Sequence, residues 1–157
     1  MEIRKLQVDD CAAMWRINEE GLPGVGKVTQ ASMEALLDFS ILPLGMTADA
    51  TLAGFVLCLL PGTQYGSPNY RWFHERYDSF LYVDRIAVGA AHRNRQIGSR
   101  LYGAVFDYAA THDLPIAAEV SLQPPNPGSM RFHGRHGFKQ VGELNHPSQS
   151  VAMMMRG

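Results

Sequence analysis

FLYVDRIAVGAAHRNRQIGSRLYGAVFDYAATH, residues 80–112, decides how the chain folds. Its first nine residues are apolar at nearly every position and rich in β-branched and aromatic side chains, which suits a strand covered on both faces. Its second half places Ile97, Leu101, Ala104, Val105, Tyr108 and Ala109 at i, i+4, i+7, i+8, i+11 and i+12, one apolar face of a helix. Between strand and helix lie His92, Arg93, Arg95 and Gly98. The unpaired N–H groups and positive dipole end of a helix N-terminus attract anions. Arginines beside it add charge that does not titrate away. The local chemistry fits a phosphate or pyrophosphate; the competing reading is a loop with solvated arginines. Neither a P-loop nor a dinucleotide fingerprint is present.

Working outward, Pro115 to Leu122 reads as a further buried strand that aims Glu119 and Ser121 to one face. Asn126 is a good N-cap, Pro127 suits the first helical position and Gly137 suits the C-terminal cap, so a helix of about nine residues carries its own boundaries. Asn126, Ser129 or Met130, and His133 share a face of it. Phe138–Leu144 and Ser150–Met155 read as two last strands. On the N-terminal side, a short strand at residues 1–6 leads to a helix capped by Asp9 or Asp10, with Cys11, Met14, Trp15 and Asn18 along one side. GLPGVGK, residues 21–27, reads as a connection. Thr29 opens a second helix, and Ile41–Thr47 with Thr51–Leu60 form a hairpin. Residues 61–79 look like a long loop crowded with aromatic rings, either a lid over a substrate or a satellite of the core.

Composition bounds the function. The chain has 157 residues, enough for one domain, with 46 % hydrophobic residues and a formal net charge of −1. That balance gives no general pull toward nucleic acid or anionic membrane, and a single-stranded nucleic-acid platform on the aromatic loop is disfavoured by it. No apolar run reaches the ~20 residues of a membrane span, and the N-terminus lacks a signal-peptide core. A cytoplasmic setting is expected. Two cysteines in apolar segments read as buried thiols, and the six histidines lack ligand spacing, so no metal is expected.

Two motifs then point to a family. Arg93-Asn94-Arg95-Gln96-Ile97-Gly98 resembles the Q/R-x-x-G-x-G/A loop of the GNAT N-acetyltransferases, with Gln96 where the middle glycine stands. Asn126, Ser129, Phe132, His133, Gly137 and Phe138 keep the spacing of that family's N-x-x-A/S-x-x-L/F-Y-x-x-x-G-F segment, with His133 in place of its tyrosine. The histidine variant is similar to the phosphinothricin-acetyltransferase-like branch.

The resemblance implies an α/β (α+β) fold: a mixed, mostly antiparallel sheet of six to seven strands with a splayed central pair, flanked by about four helices. It implies acetyl-CoA as co-substrate. Pantetheine would pair with Ile86, Ala87 and Val88, and the pyrophosphate would rest on Arg93, Asn94, Arg95, Gln96, Ile97, Gly98 and Ser99. Asn126 and Ser129 would lie near the thioester end. The reaction would be acetyl transfer to a primary amine of a small molecule or peptide. An amine with a pKa near 10 is mostly protonated at neutral pH and needs a base. Asp84 and Glu119 are the candidates; their structural alternatives are an Asp84–Arg85 ion pair and a Glu119–Arg131 pair. A backbone N–H near Val88 would serve the oxyanion. His133, or else Tyr82, would serve the leaving thiolate. A non-catalytic acyl-CoA-binding module is the alternative function, and a homodimer through the late strands is left open.

Overall fold

A computed structural model describes residues 1–157. Seven strands make one sheet: β1 (Glu2–Lys5), β2 (Leu42–Ala48), β3 (Thr51–Leu59), β4 (Leu81–Val88), β5 (Ile116–Gln123), β6 (Lys139–His146) and β7 (Gln149–Arg156). Their spatial order is β1-β2-β3-β4-β5-β7-β6, and every pair is antiparallel except β4–β5. Five α-helices cover it: α1 (Cys11–Glu20), α2 (Gln30–Phe39), α3 (Pro68–His74), α4 (Ile97–Thr111) and α5 (Pro127–Arg135). The mixed, mostly antiparallel sheet is the expected one. The helix count rises from about four to five because part of the aromatic stretch is helical.

That helix, α3, starts on its own sequence signals. The Ser67 hydroxyl accepts the Tyr70 amide, and Pro68 occupies the first turn. Tyr70 and Phe73 are buried against Phe80, just before β4, and Tyr82 of β4, so the satellite-core reading holds for them. The ring of Trp72 lies over Gly142 of β6, where an added Cβ would come within 2.7 Å of it. Elsewhere Asp10 sits at the start of α1, yet its carboxylate turns to the Gln7 amide and to Arg4 rather than capping α1. The β2–β3 hairpin turns on Asp49 and Ala50, both at positive φ. In α4 the buried face is Ile97, Leu101, Tyr102, Val105 and Ala109, which adds Tyr102 to the expected stripe.

Two features of β4 position everything that follows. First, it pairs with β5 only at Leu81–Ile116 and Tyr82–Ala117; beyond Tyr82 the two parallel strands separate. Second, the β3–β4 register skips Asp84, which makes a bulge there. Without it Asp84 and Arg85 would point to opposite faces of the sheet.

Candidate active site

Beyond Tyr82 the inner edge of β4 has no neighbouring strand. Gly89 N–H donates to Ala53 O of β3. With the two-residue period of a strand, the amides of Val88 and Ile86 therefore face the other way, into the open wedge. The amide of Ala87 faces β3 and its side chain is buried, so the expected three-residue edge narrows to Ile86 and Val88.

At the bottom of the wedge lies a cavity of about 180 Å³, lined by Tyr65, Asn69, Arg85, Glu119, Tyr102 and His133 among others. Glu119 of β5 accepts the Tyr82 hydroxyl, at 2.9 and 2.8 Å to its two oxygens, and the Asn69 amide at 3.2 Å. Arg131, its expected partner, makes no contact with it. Burial pushes the Glu119 carboxyl up to about 8, and the nearby Asp84 charge adds to the shift. The hydrogen bonds from Tyr82 and Asn69 pull in the other direction but do not win. Burial likewise keeps Tyr82 a neutral phenol, well above its usual range.

Asp84 behaves differently. Its Oδ2 accepts Arg85 Nε at 2.8 Å, with both side chains almost wholly enclosed. The ion pair weighed from the sequence is present, and it leaves Glu119 as the carboxylate without a cationic partner.

His133 is held from both sides. Its Nδ1 lies 2.8 Å from Ser129 O, an acceptor only, so Nδ1 carries the proton. Its Nε2 then accepts the Tyr102 hydroxyl at 2.7 Å. Burial lowers the pKa of His133 below the ordinary 6.5, so the ring is neutral at pH 7. Unlike the proton donor expected from the sequence, it has no N–H aimed into the wedge.

At the mouth, residues 93–99 bend around a second cavity of about 390 Å³. Asn94 and Gln96 take left-handed φ values of 64° and 60°. Arg100 N–H is the amide that returns to Gln96 O, and no side chain caps the start of α4. The amides of Ile97, Gly98 and Ser99 are therefore the orphan donors of this helix. The arginines are redistributed. Arg93 lines the cavity while its Nη2 donates to Glu20 O at the end of α1, and Arg95, which does not line it, has Nη1 3.0 Å from His92 Nδ1. Arg135 of α5 joins Arg93 in lining it, with Ser99, and Gly98 lies beside the Phe132 ring. Asn126 caps α5 by accepting Ser129 N–H at 3.3 Å, and lines an adjoining cleft with Arg93 and Ser121. The residues the sequence did not single out are Tyr102, Asn69 and Arg135. A tyrosine beside the helix stripe was the one available signal.

No three His, Cys, Asp or Glu side chains are arranged to hold a metal ion. Both cysteines are free and buried, and no helix is long and apolar enough to cross a membrane.

The model of the acetyltransferase (GNAT) family matches residues 13–138, most of the chain. The chain belongs to that family. Among curated relatives, a phosphinothricin N-acetyltransferase of Streptomyces coelicolor is 44 % identical over 57 residues. That match spans 36 % of this chain and only about a third, 32 %, of the relative. Among solved structures, Ard1 from Thermoplasma volcanium superposes with a TM-score of 0.79 at 19 % identity, covering 99 % of this chain and 95 % of that one. YncA of Salmonella typhimurium, a putative acetyltransferase solved with acetyl-CoA, gives 0.73 at 17 % identity over 99 % and 92 %. At these identities the two structures speak to the GNAT fold alone.

Proposed function

We propose that this chain is an N-acetyltransferase that moves the acetyl group of acetyl-CoA to a primary amine of a small molecule or peptide by direct attack on the thioester. One observation carries the reading: Glu119, with its carboxyl pushed up to about 8, stands in the same wedge as the open edge of β4. A base titrating there accepts an amine proton near neutral pH.

The residues fit the co-substrate. Ile86 and Val88 offer their amides as an added strand would, along the side of β4 that β5 has left. The orphan amides of Ile97, Gly98 and Ser99 offer donors for the pyrophosphate, and Arg135 adds charge. Glu119 removes the amine proton as the N–C bond forms. The C–S bond breaks with its electron pair on sulfur, and water protonates the thiolate. The β4 amides receive the charge that develops on the carbonyl oxygen. Asp84 and His133 support this arrangement from fixed positions. Neither nucleic acid nor membrane enters the proposal, and the setting is taken as cytoplasmic.

Thiol release from acetyl-CoA with a panel of amines tests the reading, alongside calorimetric binding of CoA. Turnover that falls on Glu119→Gln with CoA affinity retained is the expected result. Binding without thiol release for any amine would favour a non-catalytic acyl-CoA-binding module.

A further inference from the structure

His146 is the last residue of β6 and pairs with Gln149 at the tip of the β6–β7 hairpin. Gln149 and Val151 of that hairpin line the cavity that Glu119 also lines. His146 is half-buried, and its Nε2 lies 3.1 Å from Asn69 Oδ1 of α3. Asn69 Nδ2 in turn donates to Glu119 at 3.2 Å. These are the two hydrogen bonds that the Asn69 side chain makes. A chain of contacts therefore runs from the hairpin tip, through α3, to the carboxyl on β5.

The orientation of that amide matters to a base. A carboxylate only accepts, so once Glu119 has lost its proton it needs the NH₂ end of Asn69. The opposite orientation would aim Oδ1 at Glu119 and favour the protonated acid, which donates. The partner on the far side of the amide decides between the two. With the NH₂ end on Glu119, Oδ1 requires a donor, and the Nε2–H of His146 is that donor. This N–H is present in the imidazolium and in one of the two neutral tautomers.

Resting on the reading of Glu119 as the base, we propose that His146 is a positioning residue for the proton transfer: it locks the Asn69 amide with its NH₂ end on Glu119 and makes the β6–β7 hairpin part of the catalytic apparatus. The bond from Asn69 works against burial and pulls the Glu119 carboxyl down. The other titratable and charged groups around that carboxyl are Tyr82, Asp84 and Arg85 of β4, Tyr65 before α3, and Tyr102 and His133 across the cavity. None of them hydrogen-bonds to His146, so its loss reaches Glu119 through Asn69.

The experiment reads Glu119 in two ways: carbon NMR of its carboxyl across pH, which needs no acceptor, and the pH profile of thiol release with one amine. In His146→Leu both midpoints are expected to rise by roughly 0.5 to 1 pH unit, slowing release at pH 7 roughly three- to tenfold while the alkaline plateau is kept. His146→Gln, which returns an N–H donor near the place of Nε2, should restore both. Asn69→Leu should shift them the same way, and His146→Leu added to it should change nothing more. Midpoints that stay put in His146→Leu, or that move just as far in the Asn69→Leu background, overturn the proposal. Should His146→Leu not fold, nitrogen NMR of the ring in the unaltered protein decides: a proton on Nε2 supports the lock, and a lone proton on Nδ1 overturns it. Thiol release with an unmoved carboxyl ends this proposal alone. A carboxyl that moves in a protein releasing no thiol with any amine ends the acetyltransferase reading, and the catalytic role of His146 with it.

Discussion

The Tyr82 hydroxyl spans both oxygens of Glu119, at 2.9 and 2.8 Å, across the last point where β4 and β5 still touch. The contact joins the two strands at the apex of the wedge and orients the carboxyl toward its open side. Because burial holds that carboxyl near 8, kcat/KM should rise with pH on a midpoint close to 8 and flatten above it. Glu119→Gln should lower kcat by roughly 10²–10⁴-fold and remove the inflection. A profile already flat from pH 6 would mean that another group takes the proton.

The same carboxyl ties stability to pH. Its folded pKa of about 8 lies above the 4.5 of a free carboxyl, so the native state keeps a proton that the unfolded chain gives up. Stability should therefore fall as pH rises from about 4.5 to about 8. Urea midpoints measured across that range for wild type and Glu119→Gln should diverge as pH rises, with the variant the flatter of the two. Parallel curves would contradict the enclosed environment of Glu119.

How much of this was legible beforehand depended on whether a property is local. The strand, turn and helix at 80–112 and the self-bounded helix at 127–135 were readable because their caps and apolar periods lie within a few residues. Helix α3 carried the same kind of signal in Ser67-Pro68, but the density of rings hid it. The partners of Glu119 were not readable. Asn69 and Tyr82 are 50 and 37 residues away, and only the sheet order brings them together. The destinations of the arginines were equally hidden, since Arg93 finds a carbonyl 73 residues earlier.

Tyr102 and His133 make a buried pair whose members cannot be satisfied singly. His133→Ala leaves the Tyr102 hydroxyl without its acceptor, at a cost of about 1–3 kcal/mol. For a chain of this size each kcal/mol lowers Tm by roughly 2–4 °C. A double-mutant cycle with Tyr102→Phe should give a coupling of roughly 0.5–3 kcal/mol. Strict additivity would mean the hydrogen bond contributes nothing. The lowered pKa of His133 adds a sign: the unfolded chain binds a proton near 6.5 that the native ring resists. Its stabilising share is thus present above that pH and is lost as pH falls below it.

Arg135, rather than Arg95, lines the cavity at the start of α4. A charge-assisted bond to a phosphate contributes about 1.5–3 kcal/mol, or roughly 10- to 150-fold in affinity. Arg135→Ala should weaken CoA binding by that order in calorimetry at low salt. Arg95→Ala, whose guanidinium is turned to His92, should cost less. The reverse ranking would move the pyrophosphate to the other side of the loop.

Gln96 occupies the turn immediately before α4 with φ at 60°, in the left-handed region where the family motif carries glycine. For an L-residue that conformation costs roughly 1–2 kcal/mol, and glycine avoids most of it while giving up some unfolded-state entropy. The side chain makes no cap hydrogen bond that would offset the strain. Gln96→Gly should therefore stabilise the protein by up to ~1 kcal/mol, a rise in Tm of roughly 2–4 °C. It keeps the backbone amide, so CoA affinity should hold or improve as the turn settles into its bound shape. A fall in Tm would show that Gln96 contributes an interaction that outweighs its backbone strain. A fall in affinity at unchanged Tm would instead place the Gln96 side chain itself against the bound phosphate.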